Sequence, residues 1–280
     1  MWDVGKFFID SLFDADLMLR ASSLAFNFFL ALFPAIIFLF TVIAYIPIDD
    51  FQKDLLIQIK RLLPDNAFDV LLTTIDDILN NQNLSLLSFG FVLALFFSSN
   101  AFNTMMTAFD KYAKSHEKRT WYSARLRSIG LTVLVAVILL ASVALITYIT
   151  ITISWLKSQD YVNDITNYWM LQILQYASLL ILIYFIYSAL YYYGSSRVAE
   201  WKFFSVGSTL ATILSLIASA GFTFYVNNFN SYNKLYGSIG TILVLMLFIY
   251  FNCIMLLVGF ELNSSIDRAE MQAIKGKKPE

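Results

Sequence analysis

The sequence predicts an all-α integral membrane protein with six transmembrane helices. Six long stretches contain no Asp, Glu, Lys or Arg, so all 19 basic and 20 acidic side chains crowd into the remaining residues. Soluble helices keep a charged, wet face. A bilayer core about 30 Å thick instead needs roughly 20 apolar residues per spanning helix. The charge-free stretches are residues 21–48, 78–109, 128–156, 165–196, 203–233 and 235–260.

The composition supports this fold class and argues against several others. Hydrophobic residues make up 59% of the chain and charged residues 14%, and the mean hydropathy is +0.66. Short connections between the stretches predict a single polytopic membrane domain over residues 1–280. A net charge of −1 supplies no basic face for nucleic acid. The single cysteine, Cys253, excludes a disulfide framework, and we expect no metal or other cofactor.

The basic residues predict the orientation of the spans. If both termini lie on one side, that side holds fourteen basic residues and the other side holds five. Short cytoplasmic loops carry the excess of Lys and Arg, so both termini are expected in the cytoplasm. The five residues on the outer side are Lys53, Lys60, Arg61, Lys157 and Lys234.

The first 46 residues predict an interfacial helix followed by span one. Within residues 1–18, apolar and acidic side chains separate onto two helical faces, which indicates a helix lying on the inner membrane surface. A frayed tail is the alternative. Span one covers about residues 21–46 and contains Pro34. Neighbouring helices can satisfy the backbone there, so a kink is expected and not a break.

The outer loop at residues 47–83 is the only long connection, and it predicts a helical hairpin outside the membrane. Apolar residues recur at helical spacing on both sides of Pro64-Asp65, which is a helix stop followed by a new start. The loop carries seven Asp against three basic residues. A solvated acidic face explains this charge better than a cation-collecting role.

Spans two to six follow, and span five carries a stripe of small residues. The spans are expected near residues 84–109, 128–156, 169–193, 203–226 and 238–261, with a cytoplasmic tail at 262–280. In span five, small residues at strict four-residue spacing predict a face on which another helix packs closely. That face consists of Gly207, Ala211, Ser215 and Ser219.

The residue types needed for common catalytic sites are scarce. The chain has one histidine, His116, and one cysteine, and no span contains a pair of carboxylates. Zinc enzymes need three or four His, Cys or carboxylate ligands. No phosphate-binding Gly-Lys-Ser/Thr loop and no Gly-x-Ser-x-Gly motif occurs. We therefore expect a protein that is not an enzyme.

Polar side chains inside the spans form the strongest functional signal. At 1.5 Å per residue, Asn27 lies about 10 Å from the cytoplasmic end of its span, and Asn100, Asn103 and Asn252 lie roughly 14, 9 and 14 Å from theirs. These amides share one depth, and Thr104 and Thr107 share a helical face with two of them. Interhelical hydrogen bonds are one interpretation. The other is a water-filled cavity or translocation path formed by Asn27, Asn100, Asn103, Thr107 and Asn252.

Glu261 is the single residue with the most specific functional indication, because it is a charged residue at the end of the predicted span six. A carboxylate gains nothing from the negative end of a helix dipole, so a nearby cation is expected. Arg20 at the start of span one lies at the same depth, with Arg197 and Lys202 as alternatives. The sequence therefore predicts an Arg20–Glu261 ion pair that gates the inner mouth of the cavity.

The last outer segment, residues 225–240, is rich in Asn and Tyr. Uncharged amides and phenols suit contact with a sugar, a headgroup or a polar solute, and they equally suit a well hydrogen-bonded lid. Gly237 and Gly240 permit a tight turn into span six. The candidate lid residues are Asn230, Tyr232, Tyr236 and Gly237.

Two motifs resemble the YihY/BrkB family of bacterial inner-membrane proteins. The first is Arg20-Ala21-Ser22-Ser23-Leu24-Ala25-Phe26 running to Leu32-Phe33-Pro34. The second runs from Tyr232-Asn233 through Tyr236-Gly237-Ser238-Ile239-Gly240 to Gly259-Phe260-Glu261-Leu262-Asn263. Phe260 stands where the family often has Ala, and the six-span layout matches over nearly the whole chain.

The resemblance implies a multi-pass protein of the bacterial inner membrane. Members of the family were once labelled as a ribonuclease, which the residues of this chain do not support. Together, the resemblance and the amides predict a protein that transports or exposes a lipid or small polar solute. The alternative is a structural or scaffolding protein of envelope integrity. The expected partners are membrane lipids, a second copy of the chain or envelope proteins, and not nucleic acid.

Overall fold

The computed structural model describes residues 2–44, 72, 84–110, 120–158, 164–195, 203–228 and 238–275. Every element of defined bounds in these ranges is a helix, and none of their residues forms a β-strand. The helices are α1 (Trp2–Leu12), α2 (Ala15–Ala44), α3 (Leu84–Asp110), α4 (Trp121–Ser158), α5 (Asp164–Gly194), α6 (Val206–Asn228) and α7 (Ser238–Lys275).

Six of these helices are long and apolar enough to cross a membrane, which confirms the predicted number of spans. The prediction that both termini are cytoplasmic stays a prediction. The candidate spans are Asp16–Ala35, Ser88–Asp110, Trp121–Thr152, Gln172–Gly194, Val206–Tyr225 and Ile242–Ala273.

Two helix boundaries differ from the sequence prediction. Near the start of the chain, α1 ends at Leu12 and α2 begins at Ala15, so residues 1–18 do not form one helix. At the other end, α7 continues to Lys275, whereas the prediction ended span six at Glu261. Loss of apolar character marks where a helix leaves hydrocarbon, but the backbone hydrogen bonds of a helix can continue into water.

Pro34 lies inside α2, and the helix continues past it to Ala44. The Pro34 side chain is buried. A proline removes one backbone donor, and packing of the surrounding helices can compensate for it in a membrane protein. The expectation that Pro34 does not break the helix is therefore confirmed.

The chain divides into two compact units, which are described separately below. The first contains Met1–Asp14, Phe109–Leu214 and Met255–Glu280, and the second contains Ala15–Ala108 and Ser215–Ile254. Leu24, Met105 and Met106 are fully buried in the second unit, and Phe109, Tyr191 and Leu257 in the first. The prediction of one polytopic domain stays a prediction.

Two further predictions lie outside the described residues. The lid residues Asn230, Tyr232, Tyr236 and Gly237 all do so. Of residues 47–83, for which a helical hairpin is predicted, only Leu72 is described, and it is helical.

Candidate functional site

In the second unit, a hydrogen bond joins an amide of α2 to an amide of α3. Asn100 Nδ2 donates to Asn27 Oδ1 at 2.8 Å. Asn27 Nδ2 in turn donates to the backbone carbonyl of Ser23 at 2.9 Å. Both asparagines are half-buried. Asn27 thus accepts from Asn100 on the other helix and donates within its own helix, so that a bond between two neutral amides joins α2 to α3.

The α3 polar strip extends from this bond toward the end of the helix. It consists of Asn100, Asn103, Thr104 and Thr107, which share a helical face because they are three and four residues apart. The hydroxyls of Thr104 and Thr107 donate to the carbonyls of Asn100 and Asn103 at 3.1 and 2.9 Å. Thr107 is exposed, and the other three are half-buried. The strip is therefore accessible from outside the protein.

Asn252 on α7 uses its amide within its own helix. Its Nδ2 donates to the carbonyl of Phe248 at 2.9 Å, and the side chain is half-buried. The structure therefore brings Asn27 into direct contact with Asn100, whereas the bond of Asn252 is local. The role of these residues in a cavity stays a prediction.

The amide site can bind neutral polar groups. Carboxamides and hydroxyls supply both donors and acceptors and carry no charge, so water, esters and hydroxyls are suitable partners. Within the described ranges, His, Cys, Asp and Glu form no group of three or more that could hold a metal ion. The chemistry that these residues offer is hydrogen bonding.

The Asn27–Asn100 bond is expected to contribute modestly to stability. Membrane-protein interhelical bonds average about 0.6 kcal/mol, with a maximum near 1.7 kcal/mol. We expect a coupling energy of about 0.6 kcal/mol between Asn27→Leu and Asn100→Leu in a double-mutant cycle of unfolding free energies. Asn252→Leu paired with Asn100→Leu is the control, since Asn252 bonds within its own helix. A coupling equal to that of the control would contradict the bond.

Arg20 forms contacts that sequence reasoning missed. Its Nη1 donates to the backbone carbonyl of Ala108 at 2.9 Å, and its Nε lies 3.4 Å from the carbonyl of Asp16. Ala108 is in the last turn of α3, where a cation satisfies an orphan carbonyl and favours the helix dipole. Arg20 thus stabilises the C-terminal end of α3.

Glu261 lies in the first unit and is fully buried, with a relative exposure of 0%. Its predicted position at the negative end of a helix is wrong, because α7 ends at Lys275 and dipole effects fade within the last turn. The reason to expect a compensating partner for Glu261 is instead the burial of its carboxyl group. Arg20 belongs to the second unit, and the Arg20–Glu261 ion pair stays a prediction.

The glycine crossing joins α6 and α7 in the first unit through Gly207 and Gly259. A Cβ on Gly259 would lie 2.5 Å from the carbonyl oxygen of Gly207 and 2.7 Å from Cβ of Ala211. A Cβ on Gly207 would collide with the carbonyl oxygen of Gly259. These contacts confirm that Gly207 and Ala211 belong to a close-packing face.

Asn263 holds the N-terminal end of α6 beside the glycine crossing. Its Oδ1 accepts from the backbone N–H of Gly207, and its Nδ2 donates to Ser205 Oγ, both at 2.8 Å. Ser205 and Ser208 form a reciprocal capping box, in which each Oγ accepts from the other residue's N–H at 3.2 Å. The N–H groups of Gly207 and Ser208 in the first turn of α6 therefore already have protein partners.

Tyr191 on α5 completes this arrangement. Its hydroxyl donates to the carbonyl of Leu256 at 2.7 Å. The rings of Phe109 and Phe260 stack at a centroid distance of 3.9 Å, and Tyr191 packs edge-on against both. The four-residue spacing of Gly259 and Asn263 could have indicated a shared contact face. No sequence signal distinguished Tyr191 from its tyrosine neighbours.

Comparisons with known proteins point to one family. The family profile described as Virulence factor BrkB matches residues 8–280. A relative from Bacillus subtilis, named as the ribonuclease-like protein YfkH, is 33% identical over 89% of this chain and 90% of its own length. A UPF0761 membrane protein of Tolumonas auensis is 30% identical over 29% of this chain and 27% of its own. No solved structure matches the chain.

Proposed function

The chain belongs to the Virulence factor BrkB family of membrane proteins, and from this premise we propose that it moves or exposes a lipid or a small polar solute. The observation that carries the proposal is the accessible α3 polar strip within the candidate span Ser88–Asp110. A polar group that meets only hydrocarbon loses its hydrogen bonds to water at a cost of several kcal/mol. Water or a polar ligand is therefore the fitting neighbour of the strip.

The depth of the strip supports a translocation path through the membrane, because hydration of the helix end alone would not reach so far. Thr107 lies about 4.5 Å along the helix from Asp110, and Asn100 lies about 15 Å from it. Half the thickness of a bilayer core is also about 15 Å. From the helix end, the strip thus covers about half of the roughly 30 Å of hydrocarbon that a headgroup crosses between the two leaflets.

The chemistry of the strip restricts the cargo. Its amides and hydroxyls offer neutral hydrogen bonds, which suit the ester, hydroxyl or amide parts of a lipid headgroup or a solute. The proposal contains no catalysis, and the ribonuclease-like name belongs to the Bacillus relative. We place the protein in the inner membrane of a bacterium, with membrane lipids as partners.

A structural role in envelope integrity is the second candidate. The Asn27–Asn100 bond favours it, because two amides that bond to each other depend less on a ligand. The two functions differ in whether water reaches the strip. Accessibility of Asn103, which lies on the strip beyond this bond, discriminates between them.

We expect Asn103→Cys to react from the cytoplasmic side with a membrane-impermeant thiosulfonate. The background carries Cys253→Ala, and the reaction is followed by mass shift in inverted membrane vesicles. Thiols react as thiolates and therefore need water. Labelling would show that the strip is hydrated at a depth where a scaffold would be dry.

Two matched controls interpret this labelling. Ala101→Cys tests a fully buried position on the same helix, and Phe26→Cys tests an apolar position, 51% exposed, beside Asn27. Both should stay unlabelled, because one is packed in protein and the other faces hydrocarbon. Protection of Asn103→Cys equal to that of Ala101→Cys would contradict transport. Labelling of Phe26→Cys to the same extent as Asn103→Cys would show that no hydrocarbon covers this face, which also contradicts the proposal.

A further inference from the structure

We infer that the glycine crossing, together with Asn263 and Tyr191, is a clamp that stays closed until the protein unfolds. The term clamp is used below for Tyr191, Ser205, Gly207, Gly259 and Asn263. This inference is independent of the proposed function, because it concerns which part of the first unit can move. Any conformational change then takes place in other parts of the helices.

Steric contact is the first reason. The backbones of α6 and α7 approach so closely that neither glycine has room for one further carbon atom. Packed interiors shift between discrete arrangements and do not deform continuously. A slide of α7 along α6 would drive the next side chain of either helix into the carbonyl oxygen that now faces a glycine. The crossing therefore has one register.

Buried hydrogen bonds are the second reason. Gly207 is buried, and the relative exposures of Tyr191 and Asn263 are 1% and 7%. Opening the clamp would strand the Gly207 N–H, both ends of the Asn263 amide and the Tyr191 hydroxyl. Unmade bonds of buried groups are far more costly than those that water can replace. Each of the three bonds therefore opposes opening of the clamp.

The Asn27–Asn100 bond in the second unit differs from the bonds of the clamp, because it can open without leaving buried polar groups unpaired. Both amides are half-buried, so water can replace the bond when it opens. Because water can take the place of either partner, this bond can form and break during a conformational cycle at small cost. These two clusters are thereby suited to different tasks, the Asn27–Asn100 pair to rearrangement and the clamp to rigidity.

Hydrogen exchange on the full chain in lipid nanodiscs tests the clamp. Amides that exchange only through global unfolding lose protection in step with stability as denaturant rises, whereas amides exposed by local opening show no such dependence. We expect the Gly207 and Ser208 amides to follow the denaturant dependence of the slowest amides of α7. Exchange of these two amides that does not depend on denaturant would overturn the inference.

Substitution of Asn263 supplies an independent outcome. In Asn263→Leu, the Gly207 amide should lose at least about tenfold of its protection and become independent of denaturant, while residues 212–220 of α6 stay protected. Asn252→Leu on the same helix is the control and should leave Gly207 unchanged. Unchanged protection of Gly207 in Asn263→Leu would contradict the clamp. If this variant fails to fold, the denaturant dependence of the unmutated chain still decides the matter.

Discussion

Gly207→Ala is expected to be among the most destabilising single-methyl substitutions in this chain, whereas Gly221→Ala on the same helix is expected to be neutral or stabilising. A Cβ at Gly207 would meet the backbone carbonyl of Gly259 and the side chain of Asn263, while a Cβ at Gly221 meets nothing within 4 Å. Overpacking typically costs about 1–3 kcal/mol and occasionally more. The upper end applies here, because a backbone carbonyl cannot rotate away as a side chain can.

The measurement is the free energy of unfolding of both variants in the same detergent, together with the amount of folded protein in membranes. Replacing Gly by Ala in an exposed helix position is worth up to about 1 kcal/mol of helix propensity, so Gly221→Ala should gain stability. Gly259→Ala should resemble Gly207→Ala, and Gly130→Ala, which also has open space, should resemble Gly221→Ala. Equal stabilities of Gly207→Ala and Gly221→Ala would refute the close approach of the two helices.

Glu261→Lys is expected to prevent accumulation of folded protein, whereas Glu261→Gln is expected to fold. The side chain of Glu261 is fully buried, and a lysine there would place a positive charge at a position closed to water. Moving an ion out of water costs several kcal/mol even after relaxation, which is a large part of a stability of about 5–15 kcal/mol. Glutamine keeps the shape, removes the charge and replaces one acceptor oxygen with an NH2 donor.

Glu270 supplies the control for this pair, because it lies on the same helix and is exposed. Glu270→Lys should therefore yield normal amounts of folded protein, measured by size-exclusion chromatography after extraction. An ionisable residue within a span is a functional hypothesis by default. We therefore expect Glu261→Gln to fold and to lose function in a complementation assay. Normal yields of Glu261→Lys would show that this position tolerates a charge and would remove Glu261 from the candidate gate.

Much of the candidate site could be predicted because depth in a membrane follows from counting residues. The rise of 1.5 Å per residue placed Asn27 and Asn100 at similar depths before any contact was known, and their side chains bond at 2.8 Å. The same counting failed for Glu261, because the loss of apolar character marked the end of hydrocarbon and not the end of α7. Arg20 was recognised as a cation near a helix end, but the carbonyl that it binds, on Ala108, belongs to another helix.

The sequence by itself determined which segments are membrane-spanning helices, because desolvation of charge and of backbone groups is summed residue by residue along the chain. Only the tertiary structure decided which polar groups meet. The contact of Gly207 with Gly259 depends on how two helices are rotated and crossed, and a fraction of an ångström separates contact from collision. The partner of Asn263 likewise depends on which helix end lies beside it, since an amide binds any suitably placed donor or acceptor. Such geometry arises from the packing of all helices together, so no single segment contains it.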